Sequence, residues 1–372
     1  MRTLPLRYMI PAVKHPASLV ALAILIAACG GQGTHASGSA SPKASASATA
    51  SAATAPAPLT GAFAVLATPT SADNYTVSIV GVDGKVVASA QASSPTAVTC
   101  GDAAAAVLPL PISTSDDRVY YMDAQGVVRF LTVQGESGRA TTVPVGGGRR
   151  STFAVSPDDQ RIAVIVDDFT SSGVALKLYV EDLNGGANHV DIFNSSGVYG
   201  LWPIGWHGTN NLVLAKVPAC TTGGGPFAAG PLELHVVDPA TAVRRFTLGG
   251  TTCVIAGPPS PAGAVCDDTT FTRARVLNWT AGTVRFFAIQ GQTPGYISPA
   301  GDLVALTPGP DTGFDGTSRS FIGLRACGWI DDTHVIAGGD AQQQPRIGNV
   351  TTGAVVPVAA LGLCAGRLPG GL

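Results

Sequence analysis

One short phrase returns six times along this chain: an apolar stretch, a tight turn built from Ser, Pro, Asp and Gly, and a second apolar stretch. Ser113-Thr-Ser-Asp-Asp-Arg-Val-Tyr-Tyr parallels Ser156-Pro-Asp-Asp-Gln-Arg-Ile-Ala-Val, and both Ser298-Pro-Ala-Gly-Asp-Leu-Val-Ala-Leu and Ser260-Pro-Ala-Gly-Ala-Val-Cys follow the same plan. Trp206-His-Gly-Thr-Asn-Asn-Leu-Val-Leu and Trp329-Ile-Asp-Asp-Thr-His-Val-Ile-Ala are tryptophan versions of it. Pro presets φ for the turn, and Asp or Gly tolerates the left-handed corner that sends the chain back antiparallel. A second hairpin signature follows in most units, as in Val82-Asp-Gly-Lys-Val-Val, Val237-Asp-Pro-Ala-Thr-Ala-Val, Trp279-Thr-Ala-Gly-Thr-Val and Val350-Thr-Thr-Gly-Ala-Val. Two hairpins per unit make a four-stranded antiparallel sheet. The first signature begins at positions 113, 156, 206, 260, 298 and 329, with intervals scattered around the roughly 40 to 50 residues of a propeller blade. Upstream, Phe63 to Gln91 supplies further strands with no clear first hairpin. The pattern predicts an all-β propeller of seven four-stranded blades, or six if the stretch from Pro294 onward is one unit. Sheets apolar on both faces must stack around a ring, which also protects their edges. A pair of β-sandwiches is the competing architecture.

Phe153-Ala-Val-Ser-Pro-Asp-Asp-Gln-Arg-Ile-Ala-Val and Tyr296-Ile-Ser-Pro-Ala-Gly-Asp-Leu-Val-Ala resemble the Ser-Pro-Asp-Gly hairpin of TolB-type and WD40-like propeller repeats. Asp159 stands where that motif has Gly, and Ala300 where it has Asp. The resemblance covers everything after residue 58 and implies protein partners, such as other envelope proteins, rather than turnover of a substrate. Because the hairpin is generic to many propellers, it speaks to fold far more than to function.

The first 28 residues have a different character. Arg2, Arg7 and Lys14 precede an apolar run from Ala17 to Ala28, about 12 residues where a membrane-spanning helix needs roughly 20. Ile26-Ala27-Ala28-Cys29, followed by Gly30 and Gly31, resembles a bacterial lipoprotein signal, in which the cysteine is diacylated and becomes the first mature residue. Two acyl chains give stable anchoring where one is marginal. With the first resemblance, the chain looks like an actinobacterial-type lipoprotein carrying a TolB-like propeller. The expected divisions are a signal peptide over 1–28, a lipidated Cys29 with a stalk to 58, and the propeller over 59–372. An ordinary secretory signal that happens to end near a cysteine is the alternative. From Gly31 to Pro58 the chain is almost wholly Ser, Ala, Thr, Gly and Pro with a single lysine, Lys43. Such a segment has no apolar surface to offset the entropy of ordering and reads as a disordered spacer. Its random-coil reach is on the order of 30 Å. The expected location is therefore the outer face of the cell membrane.

Net charge is −2 over 372 residues, and removing a leader with three basic and no acidic residues leaves about −5. With 12% charged residues and no basic stripe, binding to nucleic acid by phosphate neutralisation is disfavoured. Seven cysteines become six once Cys29 is acylated. An even number outside the cytosol suggests disulfides, and six cysteines allow 15 pairings. The expected pairs are Cys253–Cys266 and Cys327–Cys364, each within one repeat, which leaves Cys100 for Cys220. Reduced, buried cysteines are the alternative. No Cys-x-x-Cys, His-x-x-x-His, nucleophile elbow or phosphate loop occurs, so the sequence names no cofactor, metal or catalytic residue.

Five candidates for binding remain. Asp167 and Asp267, from paired acids after a second strand, are the better places for a hard cation, although Asp pairs elsewhere serve turns. His207 and His334 occupy corresponding hairpins of different units and could converge on one face. Trp202 lies ahead of the repeated tryptophan position and is freer to be an exposed platform. The Gly- and Thr-rich insertion from Pro218 to Pro231 is a further place to look. Two functions compete: an envelope module that recognises a protein or polymer over one propeller face, and a propeller hydrolase or lyase acting on polysaccharide or lactone. The second requires Asp167, Asp267, His207 and His334 in one channel mouth.

Overall fold

The computed structural model describes residues 59–100, 104–170, 173–221 and 233–372. The expected signal peptide, Cys29, the stalk and most of the Pro218–Pro231 insertion lie outside the described residues. Seven four-stranded antiparallel sheets form the blades of a propeller. We number the blades from the N-terminus. Blade 2 runs through Ile112–Thr114, Arg118–Met122, Val127–Thr132 and Ser137–Thr142 from the axis outward. Blade 3 spans Arg149–Val155 to Val190–Gly197, blade 4 Tyr199–His207 to Arg244–Gly249, and blade 5 Cys253–Ile255 to Thr283–Ala288. Blade 6 spans Gly295–Ile297 to Ser320–Phe321, and blade 7 Gly328–Trp329 to Val355–Pro357.

Blade 1 explains the missing first hairpin. Its three outer strands, Phe63–Pro69, Asn74–Gly81 and Val86–Ser93, come from the N-terminal side of the domain, while its innermost strand is Leu363–Leu368. Phe63 stands opposite Leu368 and Ala67 opposite Leu363, so the two ends of the domain close the ring by hydrogen bonds. Blade 6 is abbreviated as the short interval predicts, with strands of 3, 3, 3 and 2 residues, yet it is a complete sheet. Hence the count is seven.

All six repeated turns join the innermost strand of a blade to the next one outward, and together they make one face of the ring. In blade 3, the Ser156 amide donates to Arg161 O (2.9 Å) and the Arg161 amide donates to Ser156 Oγ (2.9 Å), while Asp159 takes the left-handed corner at φ 58°. Blade 6 repeats this with Ser298 and Leu303, and Gly301 holds the corner at φ 88°. In blade 2 the equivalent serine is Ser115, whose Oγ accepts from the Arg118 amide (3.2 Å). Ser113, aligned with Ser156 by sequence, instead accepts from the Val155 amide of blade 3 (3.0 Å).

Burial sits between blades. Seven apolar clusters occupy the seven junctions, one for each neighbouring pair. Ile162 and Val164 of blade 3 face blade 2 while Ala163 and Ile165 face blade 4, which is why the strand Arg161–Thr170 reads as an unbroken apolar run in its first half. The repeated tryptophans stitch junctions: Trp206 Nε1 donates to Ala154 O of blade 3 (3.1 Å), and Trp329 Nε1 to Tyr296 O of blade 6 (2.7 Å).

Disulfides join Cys100–Cys220, Cys253–Cys266 and Cys327–Cys364. Cys253–Cys266 lies within blade 5. Contrary to the expectation of one repeat each, Cys327–Cys364 crosses from the start of blade 7 to the innermost strand of blade 1. Ring closure brings together residues that the repeat boundaries separate. Cys100–Cys220 staples the connection between blades 1 and 2 to blade 4, where Ala104–Ala106 pairs with Cys220–Thr221 and the Val107 amide donates to Ala219 O (3.0 Å).

Candidate functional site

The five sequence candidates are not brought together. His207 ends the innermost strand of blade 4 and His334 begins the second strand of blade 7, so both lie at the end of the ring that carries the repeated turns. Asp167 and Asp267 lie toward the far ends of the second strands of blades 3 and 5, at the opposite end of the ring. The strand direction decides this: a residue that follows the turn by several positions has crossed the sheet. The arrangement that an acid/base channel would need is absent for these four. Among the described residues, no three His, Cys, Asp or Glu side chains group as a metal site.

Each candidate has local work instead. His207 donates from Nδ1 to Leu372 O (2.7 Å) and stacks on Trp279 with ring centres 5.2 Å apart. His334 accepts at Nε2 from Asn349 Nδ2 (2.9 Å), which leaves the proton on Nδ1 to donate to Asp331 (2.9 Å). Burial opposes ionisation of Asp331, but the Thr333 amide, His334 and the Thr333 hydroxyl hold its carboxyl below the usual range. Trp202 is no exposed platform. It is 1% exposed, packs between blades 4 and 5, and donates from Nε1 to Val107 O (3.1 Å). The inter-blade core claims it because its strand position faces a neighbour, which residue type alone could not reveal.

Asp167 is 2% exposed, and burial, with Asp168 adding repulsion, pushes its carboxyl up to about 8. Arg150 stands opposite it in the ladder, yet the guanidinium turns to the carbonyls of Thr96, Gly146 and Arg149, and Asp167 Oδ1 has no hydrogen-bond partner among the described residues. Asp267 is pushed up to about 6 by burial, although its Oδ2 accepts from the Thr293 amide (3.1 Å). Both carboxyls sit in protein interior, where neutrality costs less than charge.

The open features of the molecule lie elsewhere. On the repeated-turn face, Asp116, Asp158, Asp302 and Asp332 are exposed on the turns of blades 2, 3, 6 and 7. Behind them, Asp159 reaches across a junction to within 3.6 Å of Arg118 in blade 2, and burial followed by the neighbouring Asp117 pushes it up to about 7. Inside the ring, the innermost strands enclose a cavity of about 320 Å³. Its walls are mainly apolar or small, with Ile112, Pro203, Ile204, Pro258, Ile297 and Ala365 from five blades, and Leu110 and Leu372 added by connecting segments. The sequence did not reveal which residues line the cavity, because innermost residues of distant repeats form it together. The only legible signal was a run of prolines and small residues flanking those strands.

No protein-family model matches the sequence. A comparison with curated proteins also finds no match. Among solved structures, the chain is similar to Saccharomyces cerevisiae Sqt1 at 12% identity, over 82% of this chain and 92% of that one, with a TM-score of 0.41. It is similar to BamB from Moraxella catarrhalis at 14% identity, over 84% of each chain, with a TM-score of 0.39. Prolyl oligopeptidase B from Galerina marginata is matched at 10% identity, over 78% of this chain and 47% of that one, with a TM-score of 0.39.

Proposed function

We propose that this chain is a lipid-anchored recognition module of the cell envelope, held at the outer face of the membrane by a diacylated Cys29 and spaced from it by the segment to Pro58. Its partner is a protein that presents basic side chains to the repeated-turn face. One observation carries this reading: Asp116, Asp158, Asp302 and Asp332 are exposed at intervals around an apolar opening. An acidic rim about an apolar centre favours a partner with cations flanking an apolar contact, speeds its approach, and repels phosphate backbones. The resemblance of Ile26-Ala27-Ala28-Cys29 to a lipoprotein signal supports the anchor.

Crosslinking in intact cells, followed by mass spectrometry of captured proteins, tests the partner. Replacing the four exposed aspartates by asparagine should lower capture about tenfold or more, and raised salt should do the same to the parent chain. Capture unchanged by both would overturn the acidic-face reading. Capture of lipid and wall fragments alone would remove the protein partner. For the anchor, Cys29→Ser should move the chain from the membrane fraction to the medium or leave its leader uncleaved; mature chains that begin elsewhere than Cys29 would refute it.

A further inference from the structure

The cavity on the ring axis has a chemistry distinct from that of the face around it. Among the described residues that line it, Arg367 carries the only charged side chain. Arg367 lies near the end of the innermost strand of blade 1, opposite Ala64, and is half-buried. Its guanidinium makes no hydrogen bond and no ion pair within 4 Å among the described residues. Asp332 of blade 7 and Asp116 of blade 2 act on it from the neighbouring turns without reaching it, and neither lines the cavity. A guanidinium that is partly desolvated and unpaired is costly to keep, and burial accordingly pushes this one down.

Several other polar side chains of the wall are already engaged. Ser113 Oγ accepts from the Val155 amide, Ser260 Oγ donates to Ser298 O (3.2 Å), and Trp329 Nε1 donates to Tyr296 O. What remains open to a ligand is a mainly apolar enclosure with one cation and the Thr114 hydroxyl near the turn end. The volume of about 320 Å³ falls at the lower end of the range for small-molecule sites, which pair apolar walls with a few placed polar groups.

We propose that the axial cavity binds a small amphipathic anion, a medium-chain carboxylate, with its hydrocarbon body among Ile112, Ile204, Ile297 and Ala365 and its carboxylate paired with Arg367. The planar guanidinium suits a carboxylate through two parallel N–H donors. Asp116 and Asp332, the acids that act on Arg367 from the neighbouring turns, oppose this pairing in part, and their distance beyond ion-pair reach leaves the guanidinium open to the head group. The cavity opens at the centre of the face assigned to the partner, but its test below involves no partner, so the failure of one reading is distinguishable from the failure of the other.

The test uses the full chain with Cys29→Ser, so that no acyl chain is attached, titrated calorimetrically with octanoate, octanol and octyltrimethylammonium. Octanoate should bind one per chain, octanol about tenfold more weakly or worse, and the ammonium weakest. Arg367→Gln should bring octanoate to the level of octanol and leave octanol unchanged, while Ala365→Phe should abolish both by filling the cavity. Should Ala365→Phe fail to fold, Ile204→Trp narrows the same space from blade 4. Equal binding of the three probes, many sites per chain, or octanoate affinity indifferent to both Arg367→Gln and the filling variant would each overturn the proposal. No octanoate binding to the parent chain would overturn it as well.

Discussion

Blades 3 and 6 begin with nearly the same turn and reach the same four-stranded plan by different means. Blade 3 has strands of 7, 10, 10 and 8 residues, and its second strand is paired along its whole length. Blade 6 has no strand longer than 3 residues. It relies on specific side chains instead. Phe314 meets Phe321 and Trp329 edge-on with ring centres 5.6 and 5.7 Å apart, and buried Thr312 donates to Leu324 O (2.6 Å) while accepting from the Ala326 amide (2.9 Å). Arg285 of blade 5 holds Asp315 (3.2 Å) and Gly301 O (2.7 Å). The turn thus specifies that a blade exists, and strand length decides how much of its stability comes from the ladder. A long ladder can also tolerate a defect such as Asp167 Oδ1, which has no partner among the described residues, whereas a short one has no reserve.

Phe314→Ala should be the most damaging change, about 3 to 5 kcal/mol in chemical denaturation, with hydrogen exchange accelerated in blade 6 and not in blade 3. Exchange that rises evenly around the ring would break the contrast. Asp167→Asn tests the other side. The folded carboxyl titrates near 8 against 3.8 for the ordinary group, so the unfolded chain releases its proton first and stability falls as pH rises from about 4 to 8. The asparagine variant should therefore gain on the parent across that window, by on the order of a few kcal/mol at pH 8.5, and match it near pH 4. Urea midpoints at the two pH values give the answer, and a constant difference would show that desolvation of this group is not the cause.

Thr312→Val keeps the shape and removes both hydrogen bonds, leaving the Leu324 carbonyl and the Ala326 amide without that partner. A loss of about 1 to 3 kcal/mol is expected, and a neutral result would mean that water or a local shift replaces the hydroxyl. Gly301→Ala should cost about 1 kcal/mol, since φ is 88° and a Cβ would stand 2.8 Å from Ala262 Cβ. Asp159, at φ 58° in the same corner of blade 3, shows that the longer blade supports a non-glycine residue there. If Gly301→Ala were silent in thermal melts, the corner would matter less to the short blade than its geometry implies.

Much of the architecture was legible because turn chemistry is local. Ser-Pro, Asp and Gly set backbone angles within four or five residues, so each inner hairpin announces itself wherever it stands. The pairing of Cys253 with Cys266 was similarly near in sequence. By contrast, the fate of Trp202 depended on which blade covers its strand, and the separation of Asp167 and Asp267 from the histidines depended on which end of the sheet each strand reaches. Sequence spacing is silent on both.

Local chemistry was sufficient for the strands, the turns and the repeated plan of the blades, because those follow from torsional preference and from apolar periodicity along the chain. Only the closed ring decided which side chains became neighbours. Closure joins Phe63 to Leu368 and sets one innermost residue beside another from a repeat far away, and that is how a cavity with a single arginine arises from segments that carry no sign of it alone.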